Sequence, residues 1–301
     1  MTTVHFSVPA PFQNFDAAAA ETKIIDFIQN TVRGSGSSGV VLGLSGGIDS
    51  ALVAALSVKA LGTENVNPIF FYDAPPGSTI EFDSDDLRDA ELLSNQLGLT
   101  LQKINLSPAF AAAKSSFEIK RPAALAEYST TSPYWEFGET LIPSGNLKSR
   151  LRMSLLYYYA NRGNLLVIGT KNKTERLTGY FTKYGDGGVD LDPIADLYKT
   201  EVRLLSKFMD LPESVLTKMP SAGFWKGQSD ENDLGVRYEQ LDTLLYEIEK
   251  VGIDQFSKMS SENLEKVLAE SNLSKEQCDA IVSRVKSAEH KRKLPEFPVF
   301  S

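Results

Sequence analysis

Cysteine is almost missing from this chain: Cys278 is the single one in 301 residues. No disulfide can form within the chain, so a reducing compartment, the cytoplasm, is expected. Histidine is nearly as scarce. His5 and His290 lie far apart in sequence, which argues against a metal site of His and Cys. No apolar run reaches the roughly 18 residues of a membrane span. Met1–Gln13 lacks a charged start followed by an apolar stretch, so no signal peptide is expected. Basic charge is also in deficit: 31 Lys and Arg against 39 Asp and Glu leave a net charge of −8. That balance disfavours non-specific binding to nucleic acid or membrane surfaces, which needs basic patches, but leaves room for a local phosphate pocket. Internal repeats and low-complexity tracts are absent.

What is present is ordinary globular material, 42% apolar and 23% charged. The apolar residues are ordered along the chain. Phe15–Val32 has helical spacing, and Val40–Leu44 is a short continuous apolar run of the kind that forms a buried parallel strand. Ala51–Leu61 reads as a helix ending at Gly62, Val66–Tyr72 as a strand, and Asp83–Leu97 as a helix closed by Gly98. Leu99–Ile104 is a third strand, followed by a helix near Pro108–Phe117. Leu147–Asn161 is a strong helix and Leu165–Ile168 a fourth strand. Strands alternating with helices predict an open parallel α/β sheet covered on both faces. Past Thr200 the pattern turns helical: Glu201–Met209, Tyr238–Val251, Glu262–Glu270 and Lys275–Glu289. We expect one domain over residues 1–301, with a sheet core over about 16–210 and a mainly helical part over about 211–301. Residues 119–141 have no period and read as a loop or insertion.

Gly43-Leu44-Ser45-Gly46-Gly47-Ile48-Asp49-Ser50 sits between a predicted strand and a predicted helix. Adjacent glycines allow close backbone approach and positive φ. The unpaired N–H groups at the helix start, aided by the helix dipole, form an anion site. Ser45 and Ser50 add hydroxyls. Asp49 would repel a phosphate unless a cation lay between them, so it points to Mg²⁺. The loop lacks the lysine of G-x-x-x-x-G-K-[ST] and is not G-x-G-x-x-G. A plain strand-to-helix turn explains two glycines, but not Ser, Asp and Ser beside them. S-G-G-x-D-S resembles the loop of the ATP pyrophosphatases, which release pyrophosphate and leave AMP on a substrate.

A second cluster begins at Ile168-Gly169-Thr170, at the carboxyl end of the fourth strand, where open α/β sheets bind ligands. Lys171, Lys173, Glu175, Lys183, Asp186, Asp190, Asp192 and Lys199 follow. A solvated helix face explains charges, but not the aromatic and glycine mixture of Thr178–Gly188, which suits a ligand-lining loop. Glu175 is placed to give a second carboxylate to the Mg²⁺ anticipated at Asp49.

Asn146–Met153, Gly169–Glu175, Gly179–Gly188, Lys199-Thr200, Pro220–Glu231 and Glu289–Arg292 together resemble NAD⁺ synthetase, over roughly Asp16 to Arg292. The resemblance implies a Rossmann-like fold of the adenine nucleotide alpha hydrolase type with a C-terminal helical extension. It implies that Gly43, Leu44, Ser45, Gly46, Gly47, Ile48, Asp49 and Ser50 hold ATP phosphates and then pyrophosphate. Thr170, Lys199 and Ser221 match further ATP contacts, Ser221 standing where many members carry Thr. Asp49 and Glu175 match Mg²⁺ ligands. Arg150, Lys183, Asp190, His290 and Lys291 match contacts to deamido-NAD⁺, which the family binds at a homodimer interface. Asp49, Lys183 and Lys199 are the expected catalytic groups. The implied reaction is ligation: ATP activates the nicotinate carboxylate, and ammonia displaces AMP. Cys278 lies in a predicted helix without a glycine-rich elbow, so it reads as structural. No glutaminase domain is expected, and free ammonia or ammonia from another protein is the expected nitrogen source. Ala222–Leu234 is expected to act as a lid. The rival readings are another ATP pyrophosphatase that amidates or thiolates a different substrate, and a nucleotide-binding regulator without catalysis. The acidic balance, and the charged groups all being in place, speak against them.

Overall fold

A computed structural model describes residues 7–74, 84–116, 135–136, 139–220 and 229–300. Ser221, most of the 222–234 segment and most of 119–141 lie outside these residues. The chain opens with α1 (Ala17–Ser35), β1 (Gly39–Gly43), α2 (Ile48–Leu61) and β2 (Val66–Tyr72). It continues through α3 (Asp85–Gln96), β3 (Gln102–Asn105) and α4 (Ser107–Ser115). A short antiparallel pair, β4 (Trp135–Glu136) and β5 (Glu139–Thr140), precedes the long α5 (Leu141–Gly163) and β6 (Leu165–Val167). Helices then dominate: α6 (Lys173–Thr178), α7 (Lys199–Phe208), α8 (Glu213–Thr217), α9 (Asp230–Leu234) and α10 (Tyr238–Val251). The last four are α11 (Ile253–Phe256), α12 (Ser261–Ser271), α13 (Lys275–Ser287) and α14 (Glu289–Arg292).

The main sheet is parallel, in the order β3-β2-β1-β6. Val41 pairs with Asn67 on one side and Val167 on the other. Alternation along β1 decides which layer covers which face. Val40 and Leu42 point into a core built with α1, α2, α3 and α7. Val41 joins Ile69, Val167 and Ala160 of α5 on the opposite face. Every β1 residue from Val40 to Leu42 is fully buried, which explains the unbroken apolar run. Each such side chain contributes about 1.5–3 kcal/mol by leaving water. Asp16 caps α1 by accepting from Ala19 N at 3.0 Å, and Gly36 ends the helix at φ +70°.

A second core joins Phe12 and Tyr198 to Leu241, Leu244, Leu245, Ile248 and residues of α12 and α13. It lays the C-terminal helices against α6 and α7, beside the sheet. Strand order reverses about β1, so the loops after β1 and β6 diverge and leave a crevice at the carboxyl ends of the strands. Among the described residues, no helix is long and apolar enough to cross a membrane.

Candidate active site

The crevice is built first from the turn after β1. Leu44 is buried, and its N–H donates to Ile69 O at 2.9 Å, which fixes where the strand ends. Gly46 then takes φ +77° and packs its Cα against the backbone of Asp86 in α3. Gly47 is the extended N-cap of α2, and no side chain caps that helix. First-turn amides of α2 therefore face the crevice without intrahelical partners. Ser45 N donates to Ser50 Oγ at 3.1 Å, and Ser50 Oγ donates to Gly47 O at 3.0 Å, which holds the turn in shape.

Asp49 lies in the first turn of α2 and meets the second cluster. Lys199, 1% exposed at the start of α7, donates to Asp49 Oδ2 and lies 3.9 Å from Glu175 Oε1. Asn172 Nδ2 donates to Asp49 Oδ1 at 3.0 Å. Asn172 is also the N-cap of α6: it accepts from Glu175 N at 3.0 Å, and Glu175 Oε2 accepts from Asn172 N at 3.2 Å. Asp230, buried at the start of α9, accepts from Tyr238 Oη at 2.9 Å. Burial and the neighbouring Asp49 charge lift the Glu175 carboxyl well above its ordinary value. Burial works against the Lys199 ammonium, yet Asp49, Glu175 and Asp230 outweigh it and hold its pKa above that of an ordinary lysine. The arrangement is a buried cation shared by carboxylates, next to an anion-seeking helix start.

Among the described residues, no group of three or more His, Cys, Asp or Glu is arranged to hold a metal ion by itself. Mg²⁺ does not need one, because it is held by one or two carboxylates together with phosphates and water. Asp49 and Glu175 are close enough to share one cation, since Lys199 already reaches both. That donor set fits Mg²⁺ carried in with a nucleotide.

These groups line a cavity of about 720 Å³. Its near wall is Gly43–Ser45, Gly47–Ser50, Thr170, Glu175 and Lys199. The far wall comes from α5 and the 179–189 loop, with Arg152, Asp186, Arg284 and Lys291 facing in. Asp186 Oδ1 accepts from Ser149 Oγ at 2.7 Å and from Thr182 N at 2.9 Å, which fixes the loop to α5. Gly185 allows this approach, as a Cβ there would lie 2.3 Å from Ser149 Oγ.

The structure brings together Asp49, Ser50, Thr170, Glu175, Lys199 and Lys291 around the cavity, along with the rest of the Gly43–Ser50 turn. Gly46 belongs to the turn but faces α3. Arg150, Lys183, Asp190 and His290 are not part of the cavity wall. Arg150 donates to Lys183 O at 3.3 Å, and Lys183 Nζ donates to His290 O at 2.6 Å. Asp190 accepts from Val167 N at 2.7 Å and from Tyr157 Oη at 3.0 Å. Lys291 Nζ donates to Gly179 O at 2.7 Å and Phe181 O at 2.8 Å, so it also straps the loop to the chain's end.

Sequence reasoning gave no role to Asn172, Arg152, Asp230 or Lys218, although the first three lie in segments that carry the resemblance. Asn172 was readable, because Asn followed three residues later by Glu is a capping box. Lys218 had no such signal. Its Nζ reaches Gly46 O at 3.3 Å, Asp86 at 2.8 Å and Asp89 at 2.5 Å, and so gives a cation to the turn that has none of its own.

Fold and site together define an α/β protein with an uncapped helix start at the carboxyl ends of its strands and a carboxylate-bound lysine facing it. Comparison with known proteins narrows this. The family model described as NAD synthase matches residues 21–295. The NH(3)-dependent NAD(+) synthetase of Methanococcoides burtonii is 45% identical, over 93% of this chain and 95% of that protein. The protein of that name from Methanosarcina mazei is 44% identical, over 94% and 98%. Among solved structures, the NH3-dependent NAD synthetase of Campylobacter jejuni covers 95% of this chain and 100% of its own, at TM-score 0.70 and 32% identity. NMN synthetase from Francisella tularensis has the same coverage at TM-score 0.69 and 31% identity. The chain belongs to the NAD synthase family.

Proposed function

We propose that the chain makes NAD⁺ from deamido-NAD⁺, ATP and ammonia, as an ammonia-dependent ligase that forms AMP. The full-length kinship to proteins named for that reaction supports it. The observation that carries it is the pairing of an uncapped helix start with Lys199, Asp49 and Glu175 at one end of a cavity large enough for nucleotides.

A carboxylate does not react with ammonia at useful rates, because oxide is its leaving group. A nicotinate oxygen therefore attacks the α-phosphorus of ATP, and the bond to pyrophosphate breaks. Ammonia then adds to the carbonyl carbon, the C–O bond to AMP breaks, and a proton is lost. In the first step the protein positions groups and neutralises charge. The Gly43–Ser50 amides, with Ser45 and Ser50, are placed to hold the leaving pyrophosphate, and Lys199 to meet its charge. Thr170 follows β6 and lines the same cavity. Losing one such donor costs about 3 kcal/mol of barrier, as at oxyanion sites. Mg²⁺ would be held by Asp49 and Glu175 and would supply further neutralisation at the phosphates.

Arg150, Lys183, Asp190 and His290 lie outside the cavity wall, which suits contacts to a substrate shared with a second copy of the chain. We therefore assign them, with Lys291, to that substrate in a homodimer. The test uses purified protein with deamido-NAD⁺, ATP, Mg²⁺ and an ammonium salt. NAD⁺ and AMP should form in equal amounts, and glutamine in place of ammonium should give little. Release of ADP, or no NAD⁺ from ammonium, would refute the assignment. Nicotinic acid mononucleotide as the competing substrate tests whether the chain instead shares the activity named for its Francisella relative.

A further inference from the structure

Asp242 belongs to α10, in the helical part of the chain, and it does not line the cavity. It is nonetheless fully buried and spends both of its oxygens on the elements that carry the site. One accepts from Thr174 Oγ1 at 2.5 Å and the other from Thr200 N at 2.7 Å. Thr174 Oγ1 in turn accepts from Lys199 N at 3.0 Å. Thr174 directly precedes Glu175, and Thr200 directly follows Lys199; both threonines are completely buried. The remaining links are those of the site itself. Lys199 Nζ donates to Asp49, Asp49 accepts from Asn172, and Asn172 is joined by two hydrogen bonds to Glu175. The bonds thus close a ring through α2, α6, α7 and α10, and Asp242 is its carboxylate outside the cavity.

The start of α7 explains why a carboxylate suits this place. The N–H groups of Lys199 and Thr200 have no partners within their own helix. An anion at a helix start is favoured by the dipole, and a charged acceptor binds N–H groups more strongly than a neutral one. A helix start that needed only capping would be served by a neutral Ser or Thr without the desolvation cost of a buried carboxylate. Here the charge also reaches across to α6, so one group sets two helix starts at once. Those starts fix how far Glu175 stands from Lys199.

We infer that Asp242 is a positioning residue for the reaction: acting through Thr174 and Thr200, it sets the spacing of Glu175, Lys199 and Asp49 at the nucleotide. This inference rests on the ligase reading above. A shift of about an ångström in such groups costs on the order of a hundredfold in rate.

The experiment compares Thr174→Val, Thr174→Ser, Asp242→Asn and their combination in the intact chain, by steady-state NAD⁺ formation and thermal unfolding. Thr174→Val keeps the shape and removes the hydroxyl. It should lower kcat by roughly tenfold to a hundredfold and raise the KM for ATP, with the KM values for deamido-NAD⁺ and ammonia unchanged. Mere loss of folded protein would lower apparent kcat and leave every KM alone. Thr174→Ser should restore most of the rate. Asp242→Asn should resemble Thr174→Val, and the double variant should be little worse than either, since both break one network. Thr243→Val is the control, because that buried hydroxyl bonds only to Glu239 O of its own helix, at 2.8 Å; kcat should hold. Parent-like kcat and KM in Thr174→Val, or an equal loss in Thr243→Val, would overturn the proposal. If Asp242→Asn does not fold, the Thr174 pair decides alone. A parent that forms no NAD⁺ removes the ligase reading and this inference together; an active parent with an equally active Thr174→Val removes only the inference.

Discussion

Replacing Gly46 with alanine should damage both the fold and the chemistry, and the geometry gives the size. Gly46 has φ +77°, where an L side chain costs roughly 1–2 kcal/mol. The new Cβ would lie 2.2 Å from the carbonyl oxygen of Asp86, when ordinary contact begins at 3.4 Å. The obstacle is backbone in the first turn of α3, and Lys218 ties that turn to the loop through Asp86 and Asp89. The turn must therefore retreat by about an ångström, and overpacking of this kind costs about 1–3 kcal/mol. The total, roughly 2–5 kcal/mol, is a large part of the 5–15 kcal/mol that keeps a typical domain folded. The retreat also carries the amides proposed to hold the phosphates, so kcat/KM for ATP should fall by about a hundredfold in protein that remains folded. Urea unfolding measures the first effect and initial rates the second. Two other glycines calibrate them. Gly43→Ala meets nothing within 4 Å and should unfold like the parent. Gly39→Ala meets Asn65 O at 2.2 Å, at the far end of the same strand, and should lose stability without the selective loss of rate. Parent-like stability in Gly46→Ala, or an equal kinetic loss in Gly39→Ala, would refute the reasoning.

Burial lifts the Asp242 carboxyl from 3.8 to about 6, against the hydrogen bonds from Thr174 and Thr200 and the Arg203 charge. The folded chain therefore holds that proton more tightly than the unfolded chain. This contribution to stability is full below about pH 4 and is lost as pH rises through 6, by about 3 kcal/mol at most. Urea midpoints at pH 4.5, 5.5 and 6.5 should fall more steeply in the parent than in Asp242→Asn, which keeps the losses from Glu175 and Asp230, whose carboxyls burial also raises; parallel curves would contradict it. Lys218→Met should free the phosphate turn from α3, raising the KM for ATP several-fold with little change in the KM for ammonia; an unchanged KM for ATP would show that Lys218 is only a surface tie. Cys278 is buried, and burial raises its thiol pKa, so a thiol reagent should label one group per chain in denaturant and none in the native protein.

The sheet was legible because its signals are local. Val40–Leu44 and Val66–Tyr72 are unbroken apolar runs, and strands of that kind are buried on both faces. The turn after β1 was legible for the same reason: strand end, glycines and helix start are contiguous, so its conformation can be read from eight residues. Helix ends were less legible. Leu147 was the expected start of α5, yet the helix begins at Leu141 and carries Pro143 in its first turn, where the missing N–H costs little.

The partnerships across the site were hidden. Lys199 meets Asp49 across 150 positions, and Lys218 meets Gly46 across 172. Which lysine of the 171–199 stretch enters the carboxylate pair depends on the rotation of α7. Lys171 instead pairs with Asp192, and Lys173 with Glu249. Arg150 and Arg152 share one helix, yet only Arg152 lines the cavity.

The sequence by itself determined the α/β layering, the carboxyl-end crevice and the glycine turn before α2, because hydrophobic period and backbone conformation act between near neighbours. Tertiary structure alone decided which charges meet. The energy of a buried ion depends on whatever other part of the chain the crossovers bring against it, and no spacing along the sequence encodes that contact.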